Sequence, residues 1–376
     1  MIYADAAATT KLYSNALRAM LPYLDGQYHN PSAVYPEAVT VRRAICRARS
    51  AIARALVCQT NEVFFTSGGT EANNWAIKQF MAEKPAHIIT SSIEHKAVIN
   101  ACKALEKMGW AVTYLPVSKE GFISTEDLEA AMQPNTRLVS IMLANNEVGT
   151  IEPIKELAAI AHNSGALFHT DAVQAVGHIP VNISDLGVDF LSLSAHKFGG
   201  PKGLGALFVK GGRINPLIDG GGQEMGRRSG TENTAGIIGA SVALEHATAY
   251  LDHDITELQY KRDKLVQKIT EAVDGIVLTG APIGAYRLPG HASFVVDGID
   301  SETLVMDLAL KGVCVSAGSA CTSSTGAPSY VLKAMGYTDR QAWCSLRITL
   351  DSNNTLADIN KIAAAVISSI NAMRKN

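Results

Sequence analysis

A single lysine stands where an apolar run gives way to a turn rich in glycine. The apolar run covers residues 190–193, Lys197 follows it, and the turn covers residues 199–205. Most lysines are solvated surface residues, and this position alone is compatible with that interpretation. A lysine at a strand end can instead form an imine with the aldehyde of a cofactor, if an acid and phosphate donors lie nearby.

Polar residues that such chemistry needs recur where other predicted strands end. A glycine turn at residues 67–69 leads into a predicted helix, where converging N–H groups favour an anion. An ordinary strand–helix connection with a threonine cap has the same pattern. Because ligands bind beyond the carboxyl ends of parallel strands, we expect the polar residues of these ends to meet. They are Thr70, His95, Asn146, Asp171, Gln174, His196 and Lys197.

The elements that must position these residues alternate between strand and helix. Predicted strands cover 63–66, 87–90, 111–117, 137–143, 166–171, 190–193 and 205–209, and predicted helices cover 36–56, 72–80, 94–108 and 153–162. This alternation predicts an α/β fold with a mostly parallel sheet of seven strands flanked by helices.

The last third of the chain has a different pattern. A single helical region is predicted over 233–272. It is followed by strands over 293–297, 313–315 and 346–350 and by helices over 302–311, 329–335 and 356–373. We therefore predict a large domain over residues 13–253 and a smaller α+β domain built from residues 1–12 and 254–376.

The bulk composition of the 376 residues excludes several classes of protein. Lysine and arginine number 33 and aspartate and glutamate 35, and no basic stripe indicates binding to nucleic acid. No apolar run is long enough to span a membrane, and the first residues show no charged segment followed by an apolar one, so we expect no secretory signal. The six cysteines form no Cys-x-x-Cys pair, which favours a cytoplasmic protein without a metal site.

One cysteine differs from the others in its surroundings. Cys46, Cys102, Cys314 and Cys344 lie in apolar or helical segments, as is typical of small core residues. Cys321 lies in a segment of glycine, serine, threonine and alanine over 316–327. An accessible thiol there can ionise and act as a nucleophile.

Together these residues resemble a known family. The chain is similar over nearly its whole length to the cysteine desulfurases, the NifS- and IscS-like members of the class-V aminotransferase group, which have the pyridoxal-phosphate-dependent transferase fold type I. The motifs that carry the resemblance, in chain order, are Thr-Ser-Gly-Gly-Thr-Glu at 66–71, Glu-His-Lys at 94–96, Asn-Asn-Glu-Val-Gly at 145–149, His-Thr-Asp-Ala-Val-Gln at 169–174, Ser-Ala-His-Lys at 194–197, the glycine-rich segment 220–231 and Ser-Ala-Cys-Thr-Ser at 319–323.

The resemblance implies roles for individual residues. Lys197 would carry pyridoxal 5'-phosphate as an imine, Asp171 would face the pyridine nitrogen, Gln174 the phenolate oxygen, and His95 would stack on the ring. Gly69, Thr70, Ser194 and His196 would surround the phosphate, with Thr231 reaching in from a second subunit of a homodimer. Asn146, next to the cofactor, and Arg347 would bind the substrate carboxylate.

The resemblance also implies the reaction. Sulfur would pass from L-cysteine to Cys321 as a persulfide, leaving L-alanine, and then to an acceptor protein in iron–sulfur cluster assembly or tRNA thiolation. No resident metal is expected, although Cys321 could transiently ligate an iron–sulfur cluster. The alternatives are a selenocysteine lyase or other class-V enzyme, and an inactive homologue that serves as a scaffold. Near the start the chain departs from the family pattern, with Lys11, Tyr35 and Ala38 where proline, histidine and glycine are usual.

Overall fold

The computed structural model describes residues 1–318 and 327–375. Its strands, in chain order, are β1 (Ile2–Tyr3), β2 (Val63–Thr66), β3 (His87–Ser91), β4 (Ala111–Leu115), β5 (Thr136–Ser140), β6 (Leu167–Asp171), β7 (Phe190–Ser194), β8 (Gly205–Val209), β9 (Ile276–Leu278), β10 (His291–Val296), β11 (Val313–Cys314) and β12 (Ser345–Thr349).

The helices cover most of the remaining sequence between these strands. They are α1 (Ser14–Leu24), α2 (Pro36–Leu56), α3 (Gly69–Lys78), α4 (Lys96–Glu106), α5 (Thr125–Ala131), α6 (Ile154–Asn163), α7 (Ile183–Leu186), α8 (Gln223–Gly226), α9 (Thr234–Ala249), α10 (Leu251–Ala272), α11 (Ser301–Leu310), α12 (Tyr330–Ala334), α13 (Asp339–Ala342) and α14 (Leu356–Met373). None of these helices is long and apolar enough to cross a membrane.

The large sheet contains seven of the described strands in the order β2-β8-β7-β6-β5-β3-β4. Only β8 runs against its neighbours, β2 and β7, while the other four pairs are parallel. Neighbouring residues such as Leu138 and Val139 belong to different apolar clusters, one on each face. Both faces are therefore covered, as a mostly parallel sheet requires. The predicted fold class is confirmed.

The smaller α+β part is built on an antiparallel sheet in the order β12-β10-β9 and on the parallel pair of β1 with β11. Ala4 packs in the same apolar cluster as β10, β12 and α14. The first residues of the chain therefore contribute to the core formed by the last hundred. The domain boundaries at residues 12 and 254 stay a prediction.

Three expectations from the sequence are corrected. The helical region predicted over 233–272 is two helices, because the chain leaves helical geometry at Tyr250 between α9 and α10. The strand predicted over 137–143 ends at Ser140. Cys46 is exposed on α2, because the buried face of that helix is formed by residues such as Ala44, Ile45 and Ala48. Cys102 and Cys344 are buried as predicted.

Candidate active site

Ten of the predicted site residues line one cavity of about 410 Å³ at the carboxyl edge of the parallel strands. They are Gly69, Thr70, His95, Asn146, Asp171, Gln174, Ser194, His196, Lys197 and Arg347. Nine of them come from loops, strand ends and helix starts of the large sheet, and Arg347 comes from β12 of the smaller part. The cavity therefore lies between the two parts of the molecule.

The N-terminus of α3 approaches the cavity closely because its first residue is glycine. A Cβ atom on Gly69 would lie 2.6 Å from Cγ2 of Val173 and 3.6 Å from Cβ of Ser194. Such a contact with Val173 is far inside van der Waals distance. Gly69 thus lets the first turn of α3, with Thr70, lie against the loop that follows β6 and against the end of β7. The N–H groups of a first turn have no partner inside the helix and attract an anion.

The carboxylate of Asp171 ends β6 and is 4 % exposed. Nδ2 of Asn73 donates to its Oδ2 over 2.6 Å, and the N–H of Val173 donates to its Oδ1 over 2.9 Å. Hydrogen bonds to a carboxylate stabilise its ionised form and fix its orientation. A buried anion held in this way is suited to keep a proton on a nearby ring nitrogen.

Lys197 lies in a short 3-10 turn after β7, and its Nζ reaches the first residues of the chain. Nζ donates to the carbonyl oxygen of Ala7 over 2.5 Å and to that of Ala8 over 2.9 Å. We call residues 5–10 the N-terminal strap. Its far end is fixed to the lysine turn, because Oγ1 of Thr10 donates to the carbonyl of His196 over 2.9 Å.

His95 is the N-cap of α4, and its imidazole orientation follows from that position. Nδ1 accepts the N–H of Ala97 over 3.1 Å. Since Nδ1 is held by the helix, the half-buried ring presents its other atoms to the cavity. A planar ring at this place can lie against a planar cofactor.

His196 is neutral at ordinary pH. Burial, with the neighbouring charges of Lys197 and Lys202, lowers the pKa of His196 to about 4. Its Nδ1 lies 3.1 Å from Oγ1 of Thr9 in the strap. A neutral imidazole and the hydroxyl of Ser194 add hydrogen-bonding groups to the part of the cavity near α3.

Asn146 and Arg347 meet on the opposite side of the cavity. Nη1 of Arg347 donates to the carbonyl oxygen of Asn146 over 2.9 Å. The side-chain Oδ1 of Asn146 and Nε of Arg347 are buried, and among the described residues neither has a hydrogen-bond partner. Buried polar atoms of this kind need a partner. The guanidinium of Arg347 and the amide NH2 of Asn146 can donate to a carboxylate of a small ligand, whereas Oδ1 of Asn146 can only accept from a donor.

Three predicted residues stand apart from this description. Gln174 lines the cavity, but its Nε2 donates to the carbonyl oxygen of Ala7 over 3.0 Å. Thr231 is exposed and does not line the cavity of its own chain. Cys321 lies outside the described residues.

The sequence interpretation missed several residues that line the cavity or form hydrogen bonds to the residues that line it. Asn73 lies one turn into α3, four residues after Gly69, so its helical spacing was a usable signal. Ala7 and Ala8 act through backbone carbonyls, which leave no mark in the sequence. Glu147 and Tyr330 also line the cavity.

The residues present fit pyridoxal phosphate. The start of α3 with Ser194 offers donors for a phosphate dianion, and Gly69 lets that start lie close to Ser194. Asp171 offers a fixed anion for a pyridinium, and Lys197 offers a primary amine for the aldehyde. The same cavity contains an arginine that suits the carboxylate of an amino acid.

The chain is similar to known proteins over nearly its whole length. The family described as aminotransferase class-V matches residues 2–362. A protein named cysteine desulfurase IscS from Dictyoglomus turgidum is 47 % identical over 363 residues, which cover 96 % of this chain and 92 % of that protein. A solved structure of a NifS-like protein is 35 % identical with a TM-score of 0.92 and 99 % coverage of both chains. A structure of SspA in complex with cysteine is 36 % identical with a TM-score of 0.82, covering 94 % of this chain and all of that one (100 %).

Identity at this level and over this length determines the family. The chain belongs to the class-V aminotransferase family and to its cysteine desulfurase group, whose members depend on pyridoxal phosphate.

Proposed function

We propose that this protein removes sulfur from L-cysteine, giving L-alanine and a persulfide on Cys321 that passes to an acceptor protein. The observation that carries the proposal is the convergence on one cavity of an amine, a fixed anion and a carboxylate-binding pair. These are Lys197, Asp171, and Arg347 with Asn146. A bound amino acid would thus have its amino group and its carboxylate held at separate points, which fixes its Cα–H and its side chain.

The residues of the cavity have separate tasks in this scheme. The cofactor, when bound, supplies an electron sink for bond cleavage next to the amino group. Lys197 moves the proton at Cα, and Asp171 keeps the pyridine nitrogen protonated. Arg347 and Asn146 bind the carboxylate, and His95 lies against the cofactor ring and assists proton transfer.

The sulfur step conserves atoms and electrons. The thiolate of Cys321 attacks the substrate sulfur, so an S–S bond forms while the Cβ–S bond breaks. The electron pair of the broken bond stays on the carbon, which takes up a proton and becomes the methyl group of L-alanine. The enzyme keeps the sulfur as a persulfide until a thiol of the acceptor attacks it.

The described residues on either side of 319–326, the range that contains Cys321, support this role. Oγ of Ser329, after the segment, donates to Oε2 of Glu147 over 2.5 Å. Before the segment, a Cβ atom on Gly318 would lie 3.6 Å from the same oxygen. Because Glu147 lines the cavity, the described residues Gly318 and Ser329 both lie next to a residue of the cavity wall.

We also propose that the protein acts as a cytoplasmic homodimer. Thr231 is exposed and would meet the cofactor phosphate of the second subunit. Leu17, Leu21 and Leu24 are exposed on α1, which suits an interface between subunits. The five described cysteines form no disulfide, as is usual in a reducing compartment. The acceptor would be an iron–sulfur scaffold or a tRNA-thiolation enzyme.

The purified protein tests the proposal directly. It should be yellow and should release alanine and sulfide from L-cysteine when a reducing thiol is present. Cys321→Ser should keep the colour and lose sulfide release, and Lys197→Ala should lose the absorbance of the lysine-bound cofactor. Sulfide release by Cys321→Ser at the parent rate would contradict the assignment of the nucleophile.

A further inference from the structure

The guanidinium of Arg347 is almost completely buried and is paired with an acid from the start of the chain. Its side chain is 2 % exposed, and Nη2 donates to Oδ1 of Asp5 over 2.9 Å. The two residues are 342 positions apart in the sequence. A buried charge is stable only with a partner. The buried guanidinium of Arg347 therefore needs the carboxylate of Asp5.

Asp5 is itself held rigidly. Oγ of Ser316 donates to its second oxygen, Oδ2, over 2.7 Å. The flanking backbone is fixed as well, since the N–H of Ala4 donates to Cys314 and the N–H of Ala6 donates to Thr349. The strap therefore begins between β11 and β12, with both carboxylate oxygens of Asp5 in use.

Two other titratable groups face Arg347. Burial and the charges of Arg347 and Arg287 lower the pKa of His291 well below its ordinary value, so His291 is neutral. Burial raises the pKa of Glu147, and Ser329 occupies its Oε2. Among the described residues, Asp5 is the acid in direct contact with the guanidinium.

We propose that Asp5 is a positioning residue for substrate recognition, holding the Arg347 guanidinium in the orientation that binds the carboxylate of an α-amino acid. The inference rests on the proposed function, which assigns the substrate carboxylate to Arg347. With Asp5 on Nη2 and Asn146 on Nη1, the side chain loses little freedom when the ligand binds. The same strap supplies the carbonyls that hold Lys197. The N-terminal strap thus fixes both Lys197, on the side of the substrate amino group, and Arg347, which binds the substrate carboxylate.

The test is the variant Asp5→Asn in the holoenzyme, which keeps the shape and removes the charge. We expect KM for L-cysteine to rise about 10- to 100-fold with kcat nearly unchanged, because the neutral amide of asparagine is a weaker partner for the Arg347 guanidinium than the carboxylate is. The dissociation constant of L-alanine, followed by the cofactor absorbance, should rise by the same factor. That of L-alanine methyl ester, which has no carboxylate, should not change. Ser316→Ala should raise the L-alanine constant by a smaller factor.

Controls separate this inference from the proposed function. Asp297→Asn breaks an exposed pair with Arg340 and should behave as the parent. Arg347→Gln should weaken L-alanine binding at least as much as Asp5→Asn. If Arg347→Gln does so and Asp5→Asn does not, or if Asp5→Asn binds more tightly, the inference is wrong and the role of Arg347 stands. If neither variant weakens binding, both are wrong. Loss of the cofactor absorbance in Asp5→Asn would indicate a structural role and also overturn the inference.

Discussion

Replacing Gly69 with alanine should displace the phosphate end of the cavity. The added Cβ would lie 2.6 Å from Cγ2 of Val173, whereas carbon atoms in contact lie about 3.5–4.0 Å apart. Either the side chain of Val173 or the start of α3 must therefore move by about 1 Å, at an overpacking cost of about 1–3 kcal/mol. A shift of about this size can lower activity by about 100-fold.

The assay is retention of the cofactor, read as absorbance of the purified protein and as the dissociation constant of added pyridoxal phosphate. Gly69→Ala should raise that constant by up to about 5- to 150-fold, if the whole overpacking cost appears in the complex. The double variant Gly69→Ala with Val173→Ala removes the clashing methyl group and should recover most of the affinity. Gly26→Ala is a matched control, since its nearest atom would be 4.0 Å away.

Two results would refute the reasoning. Parent-like affinity in Gly69→Ala would show that the helix start does not need to approach so closely. Failure of Val173→Ala to restore affinity would show that the loss has a cause other than this contact.

Two further predictions concern buried polar groups. Asn73→Ala removes the 2.6 Å hydrogen bond to Asp171 and should lower kcat/KM about tenfold or more. Asn74→Ala is the neighbouring control. Equal effects of the two variants would contradict the role of Asn73. Burial raises the pKa of Glu152 to about 8, so its contribution to stability is full below about pH 4.5 and is lost as the pH rises to 8. Glu152→Gln should remove about 4 kcal/mol of that decline in the free energy of unfolding, measured by urea denaturation; an unchanged pH slope would refute this.

The sheet was predictable because its strands are short apolar runs between helical segments. Prediction was poorer where helical periodicity continues across a break, as at Tyr250 between α9 and α10. The strand that ends at Ser140 was predicted too long for a related reason. The N–H groups of Ile141 and Leu143 still donate to carbonyl oxygens of β6. The apolar residues therefore continue beside the sheet after the regular strand has ended at Ser140.

The site was predictable where side chains carry the chemistry and strand ends place them. Asp171 is the last residue of one buried strand, and Lys197 follows another. The N-terminal strap was not predictable, since Ala7 and Ala8 contribute only carbonyl oxygens. The pair of Asp5 with Arg347 joins opposite ends of the chain, and no local pattern records such a contact.

The transfer of substrate sulfur to Cys321 is the central claim, and peptide mass spectrometry tests it most directly. The protein is mixed with L-cysteine without a reducing thiol, digested, and each cysteine peptide is examined. Burial raises the pKa of Cys58 and Cys102 to about 12, so these thiols stay protonated, and exposed Cys46 is the internal control. The account predicts one additional sulfur atom on the Cys321 peptide; additional sulfur on Cys46 instead, or on no cysteine while alanine forms, would contradict it.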